Sequence, residues 1–266
     1  MNFLPLIESK REGKVLAAVS QHYYVANGAE SNPHDILLTP NAIPNRNLVA
    51  TSVAATHQYR IPFRMGEINS LSSGGKNGIS NSFQSALWAA DTMFACANVG
   101  VDGVNWHTGN GGAYAAFSFN ISSSGTKTNY TLTSVRPLYY GLLLFQAATG
   151  NGAHLLPVTV NTHANLTAWA TVDASNISRL VIINKSEDAS GTVDIYVSGY
   201  CHAQIYRLTA PTYQSTSGVM FAGQTFDGSK DGIIQGTPIS EPVTVSNGLL
   251  EVPMPITSAA LVVLTK

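Results

Sequence analysis

The stretch RMGEINSLSSGGKNGISNSFQSALWAAD, residues 64–91, runs from an apolar strand pattern through a glycine-rich loop into an apolar helix pattern. We predict a strand at Arg60–Glu67, a loop at Ser70–Gly78 and a helix at Ser82–Ala97, with Ser82 able to cap the first turn. Strand, loop and helix in this order are typical of the βαβ units of a parallel sheet. The stretch therefore predicts an α/β fold for this part of the chain.

Two further predicted strands and one helix flank this stretch. Val15–Tyr24 (VLAAVSQHYY) is an almost continuous apolar run, which is typical of a strand buried on both faces. Val101–Trp106 (VDGVNW) is the next predicted strand, and Leu48–Tyr59 is a predicted helix. We expect this α/β part to form a first domain over residues 1–123.

The rest of the chain, residues 124–266, has a different pattern. Short alternating strands separated by turn residues predict an antiparallel β-sandwich, with a hairpin turn at Asn247-Gly248. Pro137–Ala148 is predicted to be a buried helix that bridges the two parts, because its apolar residues run almost all round. The predicted strands of this part are Thr167–Val172, Leu180–Asn184, Gly191–Val197, Ala203–Leu208, Val243–Val245, Leu249–Val252 and Ala259–Leu264.

Composition excludes several classes of function. With 44% hydrophobic residues in 266, the chain can bury a sizeable core, while 11% charged residues and a net charge of −1 leave no basic surface for nucleic acid. The longest apolar stretches, Tyr139–Ala148 and Ala259–Leu264, are far shorter than the ~20 residues of a membrane-spanning helix. Cys96 and Cys201 predict neither a disulfide framework nor a metal site, and the Gly74–Gly78 loop lacks the spacing of a phosphate-binding loop. We expect a soluble protein without cofactors.

The chain shows no export signal and several glycosylation sequons. Met1–Leu6 is apolar but too short for a signal peptide, and the charged run Glu8–Lys14 follows it. Because a chain rich in Ser, Thr and Asn produces Asn-x-Ser/Thr by chance, we interpret its sequons as incidental. They begin at Asn120, Asn129, Asn165, Asn176 and Asn184.

Glu67 is the carboxylate whose position points to chemistry. It ends a predicted buried strand and opens a glycine-rich loop, and reactive groups in barrels of parallel strands stand at the carboxyl ends of strands. The alternative is that it only pairs with Arg60 or Arg64. His22 and Tyr24 are two residues apart on the first strand, so a Tyr24 hydroxyl could hold an ionised Glu67, although such strand ends are more often simple core.

The third strand ends with a similar set of side chains. Asn105 and His107 are again two apart, and a glycine-rich loop at 108–112 allows close approach of a ligand. Trp106 either points the other way into packing or forms a stacking platform for a sugar ring.

Three segments together resemble one enzyme family. SQHYY at 20–24, the stretch 64–91 and GVDGVNWHTG at 100–109 resemble the last three barrel strands of glycoside hydrolase family 79, which groups β-glucuronidases and heparanase-like enzymes. The resemblance implies a retaining glycosidase built from a (β/α)8 barrel and a β-sandwich. This chain would then contain a partial barrel sector followed by the sandwich.

The resemblance also implies roles for individual residues. Glu67 would be the nucleophile, and Tyr24 with His22 would position it. The residues implied to shape or line the sugar pocket are Asn69, Ser70, Gly74, Gly75, Asn105, Trp106 and His107.

Retaining hydrolysis needs a second carboxyl group ~5–5.5 Å from the nucleophile. The family places it on barrel strand four, usually as Asn-Glu, and this chain has no Asn-Glu pair. We therefore expect the C-terminal portion of a longer enzyme or a natural truncation, with Glu30 as the only local substitute for the acid. Members specific for uronic acids commonly carry an aromatic donor just after the nucleophile, where this chain has Leu71-Ser72-Ser73, so the sequence leaves the sugar open.

Two other functions remain open at this point, a degenerate module that only binds carbohydrate and a structural interaction module. For a glycosidase or a carbohydrate-binding module, the expected partner is a carbohydrate or glycoside, and we expect no nucleic acid and no membrane partner. Three strands of a barrel also expose sheet edges and an inner face that we expect to be apolar. Homo-oligomerisation or a missing N-terminal barrel segment would cover them.

Overall fold

The computed structural model describes residues 16–44, 46–108 and 111–266. The segment considered for an export signal and the residues Gly109 and Asn110 lie outside this range. The described helices are α1 (Arg46–His57), α2 (Phe83–Asn98) and α3 (Pro137–Thr149), and two 3-10 turns span Ile36–Leu38 and Pro40–Ala42. The described strands are β1 (Val19–Asn27), β2 (Phe63–Ser72), β3 (Gly103–Trp106), β4 (Phe117–Ser124), β5 (Lys127–Val135), β6 (His154–Leu156), β7 (Leu166–Val172), β8 (Ser178–Asn184), β9 (Gly191–Tyr196), β10 (His202–Thr209), β11 (Met220–Phe221), β12 (Glu241–Thr244), β13 (Leu249–Met254) and β14 (Ser258–Thr265).

Strands β1, β2 and β3 form a parallel sheet in that order, as the βαβ pattern predicts. One face of this sheet packs on helices α1 and α2 around Phe63, Met65 and Trp88. Tyr23 lies on this face, where its hydroxyl donates a hydrogen bond to the Ala42 carbonyl at 2.9 Å. Among the described residues no helix covers the other face, which carries the exposed side chains of Ser20, His22 and Arg64 and is called the open face.

A β-bulge in β2 decides which side chains reach the open face. The pairing with β1 steps from Gln21↔Met65 to His22↔Glu67, so Gly66 is the extra residue. A Cβ atom on Gly66 would lie 2.9 Å from the Ser20 side chain, so the close approach of the two strands requires glycine. Met65 and Ile68 are both fully buried in the helix-side core although they are three residues apart. The bulge therefore turns Glu67 to the open face, where strict alternation after Met65 would bury it.

The remaining strands form antiparallel sheets. The largest has the order β11-β10-β14-β8-β7-β6, with β12 also paired to β10, and β9 pairs with β13. Helices α2 and α3 cover one face of the large sheet, and the β9–β13 pair packs on the other face over a second apolar core. The two helices cross closely at Gly141, where a Cβ atom would meet the Ala86 carbonyl oxygen at 2.1 Å.

The first turn of helix α2 is bound to the antiparallel part. The Phe83 and Gln84 amides donate to the carbonyls of Ser215 and Tyr213, which satisfies two otherwise unpaired donors of the first turn. The predicted cap by Ser82 is wrong, because its hydroxyl donates to the Ile79 carbonyl instead. The N-terminus of α2 is therefore capped by backbone carbonyls from a loop of the antiparallel part.

Several element boundaries differ from the sequence-based ones. Strand β2 continues five residues beyond Glu67, so the loop begins after Ser72 and not at Ser70. Sequence periodicity also missed the β4–β5 hairpin, whose residues are mostly exposed on both faces. The proposed domain boundary after residue 123 falls inside this hairpin. The predicted turn is confirmed, since Asn247 and Gly248 have φ values of 53° and 77°.

No helix of the described residues is long and apolar enough to cross a membrane.

Candidate active site

The open face of the parallel sheet brings Glu67 and Tyr24 together. The Tyr24 hydroxyl donates a hydrogen bond to Glu67 Oε1 at 2.6 Å. Tyr24 and His22 are on the same face of β1, as their spacing of two predicts, while Tyr23 is on the opposite, helix-covered face. The Glu67 side chain is about one-third exposed, at 32%. A carboxylate that is held at one oxygen and open to solvent can react with a ligand that enters this face.

Two histidines complete the surroundings of the carboxylate. His107 Nδ1 lies 3.2 Å from Glu67 Oε1 and 2.7 Å from the Tyr24 hydroxyl. His22 Nδ1 lies 3.8 Å from Glu67 Oε2, beyond hydrogen-bond distance. Among the described residues, Oε1 is therefore the held oxygen and Oε2 the oxygen left free to react.

This arrangement favours an ionised carboxylate. The hydrogen bond from Tyr24 is the main cause that lowers the pKa of Glu67 below its ordinary value. Burial raises this pKa by a smaller amount, and the charges of His107 and His22 lower it further. Burial and the neighbouring Glu67 raise the pKa of Tyr24, so its hydroxyl stays protonated and remains a donor. The pair is thus an ionised carboxylate and its hydrogen-bond donor.

Neither arginine considered as a structural partner contacts Glu67 in the described structure. Arg64 donates from Nη2 to the Asn105 Oδ1 atom at 2.8 Å, and Arg60 precedes β2, whereas Glu67 is in the middle of that strand. Asn105 is exposed on the open face but is bound to this guanidinium. With Ser20 and His22, these side chains make the open face polar, and the expectation of an apolar inner face is wrong.

Asn69 and Ser70 are buried beneath this face. The Asn69 Nδ2 atom donates to the carbonyls of His107 at 2.7 Å and Tyr114 at 3.2 Å, and the residue is 1% exposed. Asn69 thereby ties the end of β3 and the following loop to β2. Ser70 is fully buried next to it. Both residues are thus buried and not exposed on the open face, and Asn69 holds the backbone of His107.

Gly74 and Gly75 lie in the turn after β2 with left-handed φ values of 86° and 79°. A Cβ atom on Gly75 would stand 2.8 Å from the Tyr114 amide nitrogen, so only glycine lets the loop after β3 approach this turn. Gly74 accepts a hydrogen bond from that same amide at 3.4 Å. These glycines position Tyr114 against the site.

Trp106 is the candidate that the structure keeps apart from Glu67. Its Nε1 atom lies 3.3 Å from Met93 Sδ on helix α2, and its ring meets the Trp88 ring edge-on at 5.5 Å. Of the two orientations considered for this residue, the structure shows the one packed against the helices.

Tyr114 is a site residue that sequence reasoning missed. Its hydroxyl lies 3.2 Å from His107 Nδ1, its ring is tilted against Tyr24 at 6.3 Å, and the residue is buried. The signal for it was a lone aromatic after the glycines of GNGGAY, in a loop at the carboxyl end of β3. That signal gains meaning only once the loop is known to fold back over β2.

The Glu30 carboxylate is held at a different place. It accepts a hydrogen bond from Asn27 Nδ2 at 3.2 Å, and Asn27 is paired with Ser72 at the end of β2. Ser72 is five residues beyond Glu67, roughly 16 Å along the strand at about 3.3 Å per residue. Glu30 is therefore anchored well beyond the separation that a retaining pair of carboxylates needs.

Comparisons with known proteins point to one family. The model of the glycosyl hydrolase family 79 C-terminal beta domain matches residues 168–261. A β-glucuronidase of Aspergillus niger is 27% identical over an alignment that covers 92% of this chain and 50% of that protein. A β-glucuronidase of Neurospora crassa is 30% identical over 46% of this chain and 23% of its own length.

The chain resembles the C-terminal part of a family 79 glycoside hydrolase. The resemblance expected from its motifs is thereby confirmed. The alignments cover about half of the Aspergillus niger relative and less of the Neurospora crassa relative. Among solved structures, a 4-O-α-L-rhamnosyl-β-D-glucuronidase of Fusarium oxysporum 12S superimposes with a TM-score of 0.75 over 96% of this chain and 55% of that chain, at 22% identity. A GH51 arabinofuranosidase of Xanthomonas axonopodis superimposes with a TM-score of 0.63 over 97% of this chain and 55% of that one, at 15% identity. These two superpositions show that the chain shares its fold with parts of both enzymes.

Proposed function

We propose that this chain is part of a retaining glycosidase in which Glu67 is the nucleophile and Tyr24 positions it. The observation that carries the proposal is the state of the Glu67 carboxylate, with Oε1 bound to the Tyr24 hydroxyl at 2.6 Å and Oε2 left toward the open face. In this proposal the sheet β1–β3 with helices α1 and α2 is a sector of a (β/α)8 barrel. The antiparallel sheets form the β-sandwich that follows it.

In the first half of the proposed reaction, Glu67 Oε2 attacks the anomeric carbon of the sugar. The bond to the leaving oxygen breaks, the oxygen keeps the electron pair, and an acid protonates it. Tyr24 keeps the carboxylate ionised and fixes its rotation, while His107 supports the same oxygen from the other side. In the second half, the deprotonated form of that acid takes a proton from a water molecule that attacks the anomeric carbon. The bond from this carbon to Glu67 breaks, the electron pair returns to the carboxylate, and the configuration is retained.

The acid that protonates the leaving oxygen is proposed to come from outside this cluster. Glu30 is held by Asn27, which pairs with Ser72 five residues beyond Glu67 on β2, and the chain spans about half of its Aspergillus niger relative. The open polar face and the outer edges of β1 and β3 are the surfaces on which a further barrel segment, or a second chain, would supply that carboxylate.

The proposed substrates are β-glucuronides. The two curated relatives are β-glucuronidases, and a similar solved structure is a glucuronidase with a rhamnosyl-glucuronate ligand. The polar open face suits a ligand rich in hydroxyl groups.

The test uses aryl glycosides whose leaving group needs little protonation. We expect the 266-residue chain to release dinitrophenol from the aryl β-glucuronide in a burst that the Glu67→Gln variant loses and that the Glu30→Gln variant keeps. The β-glucoside and the α-arabinofuranoside with the same leaving group serve as sugar controls. A burst that survives Glu67→Gln would remove this residue from the mechanism.

A second candidate function is a module that binds carbohydrate without cleaving it. The position of Glu30 favours it, because no second carboxylate of the described residues contacts the Glu67 cluster. Saturable binding of glucuronate oligosaccharides, with no burst from any aryl glycoside, would support this function and contradict the first.

A further inference from the structure

The five sequons of the chain differ sharply in their surroundings. Asn184 is 2% exposed, and its Nδ2 atom donates to the carbonyls of Ala189 and Pro255, both at 2.8 Å. Asn165 is partly buried and donates from Nδ2 to the Leu38 carbonyl at 2.6 Å. A glycan on either nitrogen would replace hydrogen bonds that the folded chain uses. These two sequons fit the interpretation that they are incidental.

Two other sequons share one exposed element, the β4–β5 hairpin. In its register Asn120 is opposite Thr131, and Ser122 is opposite Asn129. Each asparagine is thus directly across from the hydroxyl residue of the other sequon. Opposite residues share a face, so all four side chains stand on one side of the hairpin, and all four are exposed.

The other face of the hairpin carries its apolar side chains. Phe119 pairs with Leu132 and Ile121 pairs with Tyr130, and the rings of Phe119 and Tyr130 are T-shaped at 6.4 Å. The hairpin base is anchored by Arg136, which donates to the Gly112 carbonyl and to Ser118 Oγ. A large polar group on the sequon face therefore points away from the apolar face, and Asn120 and Asn129 are nearer the hairpin tip than Ser118, which lies on the same face.

We propose that Asn120 and Asn129 are N-glycosylation sites and that the sequon face of this hairpin carries glycans. In the reaction, Asn Nδ2 forms a bond to the anomeric carbon of a lipid-pyrophosphate-linked oligosaccharide. The bond from that carbon to the phosphate oxygen breaks, the lipid pyrophosphate leaves, and the amide nitrogen loses one proton. The proposal is independent of any glycosidase activity of the chain.

Asn176 provides an internal comparison. It is exposed, but the hydroxyl of its sequon partner Ser178 is buried and lies 2.6 Å from the Tyr200 hydroxyl. The sequons of the hairpin are accessible before and after folding, whereas that of Asn176 is accessible only before. We expect any occupancy of Asn176 to be lower than that of Asn120 and Asn129.

The experiment expresses the full chain behind a secretion leader in a eukaryotic host, with a separate sequon in an N-terminal tag that reports entry into the glycosylation pathway. Intact mass and peptide mapping are measured before and after treatment with peptide N-glycosidase. We expect glycans on both hairpin asparagines, the loss of one glycan in Asn120→Gln or Asn129→Gln, and the loss of both in the double variant.

Matched variants separate the sequon from the side chain. Thr131→Ser keeps the sequon of Asn129 and should keep its glycan, whereas Thr131→Ala should lose it. A secreted chain with an occupied tag and unmodified Asn120 and Asn129 would overturn the proposal. Occupancy of Asn165 or Asn184 in the secreted folded chain would also overturn it, because burial would then not select the site.

Discussion

Two carboxylates on neighbouring elements have opposite surroundings. Asp91 on helix α2 is fully buried, and its Oδ2 atom accepts a hydrogen bond from Lys185 Nζ at 2.7 Å. Its Oδ1 atom accepts from Thr167 Oγ1 and Trp169 Nε1, both at 2.9 Å. Glu67 on β2 is one-third exposed, with Tyr24 and His107 at Oε1 and no hydrogen bond to Oε2 in the described structure.

The difference separates a group that holds the fold from a group that can react. The partners of the two Asp91 oxygens lie on β7 and directly after β8, in the antiparallel part. This carboxylate therefore joins the parallel and antiparallel parts. A buried ion pair is costly to form but much more costly to break on one side. An oxygen with no partner is costly in a core but is what a nucleophile needs.

The largest effect is expected for Glu67→Gln. The amide is nearly isosteric but cannot attack the anomeric carbon, so kcat/KM for an aryl β-glucuronide should fall by more than about 10⁴-fold. The thermal midpoint should stay within the error of the measurement, because the side chain is on the open face. Retention of more than a tenth of the activity would contradict the assignment of Glu67 as the nucleophile.

Asp91→Asn should leave the chemistry in place and weaken the fold. It leaves the Lys185 ammonium buried without its counter-charge, which costs roughly 3–5 kcal/mol in the free energy of unfolding. Urea titration measures this loss. The double variant Asp91→Leu/Lys185→Met should lose less than the single one, and an equal or greater loss would show that the ion pair is not the cause.

Tyr24→Phe should change the pH dependence of activity. The nucleophile must be ionised, and Tyr24 is the main group that lowers the pKa of Glu67, so its loss raises that pKa. The acidic limb of the kcat/KM profile should therefore move to higher pH. At neutral pH kcat/KM should fall by about tenfold, because the hydrogen bond that holds the carboxylate is lost. Tyr23→Phe is the matched control, since its hydroxyl donates to Ala42 on the other face. A shift with Tyr23→Phe and none with Tyr24→Phe would reverse the assignment of the two faces.

The smallest effect is expected for Tyr114→Phe. It removes one hydrogen bond between its hydroxyl and His107 and keeps the ring that packs beside Tyr24, so kcat/KM should fall by about two- to fivefold. The kinetics of Tyr114→Ala provide the comparison. If the two variants are equally active, the hydroxyl and the ring both lie outside the working site.

The sequence predicted the parts of the site that follow local periodicity. The alternation of β1 correctly separates Tyr23 from Tyr24, and the βαβ rhythm correctly predicts a parallel sheet. The bulge at Gly66 could not be predicted, because it depends on the approach of Ser20 from another strand. Tyr114 was missed for a similar reason, because its position depends on the contact between the loop after β3 and the Gly74-Gly75 turn after β2. The cap of α2 failed because a distant loop supplies the carbonyls.

Trapping of the glycosyl intermediate tests whether Glu67 is the nucleophile. A preparation that hydrolyses an aryl β-glucuronide is incubated with a 2-deoxy-2-fluoro-glucuronosyl fluoride, digested and mapped by mass spectrometry. We expect a covalent sugar on the carboxylate of Glu67, and no label in Glu67→Gln. A label on any other residue, or an unlabelled Glu67 in a preparation that the reagent has inactivated, would contradict it.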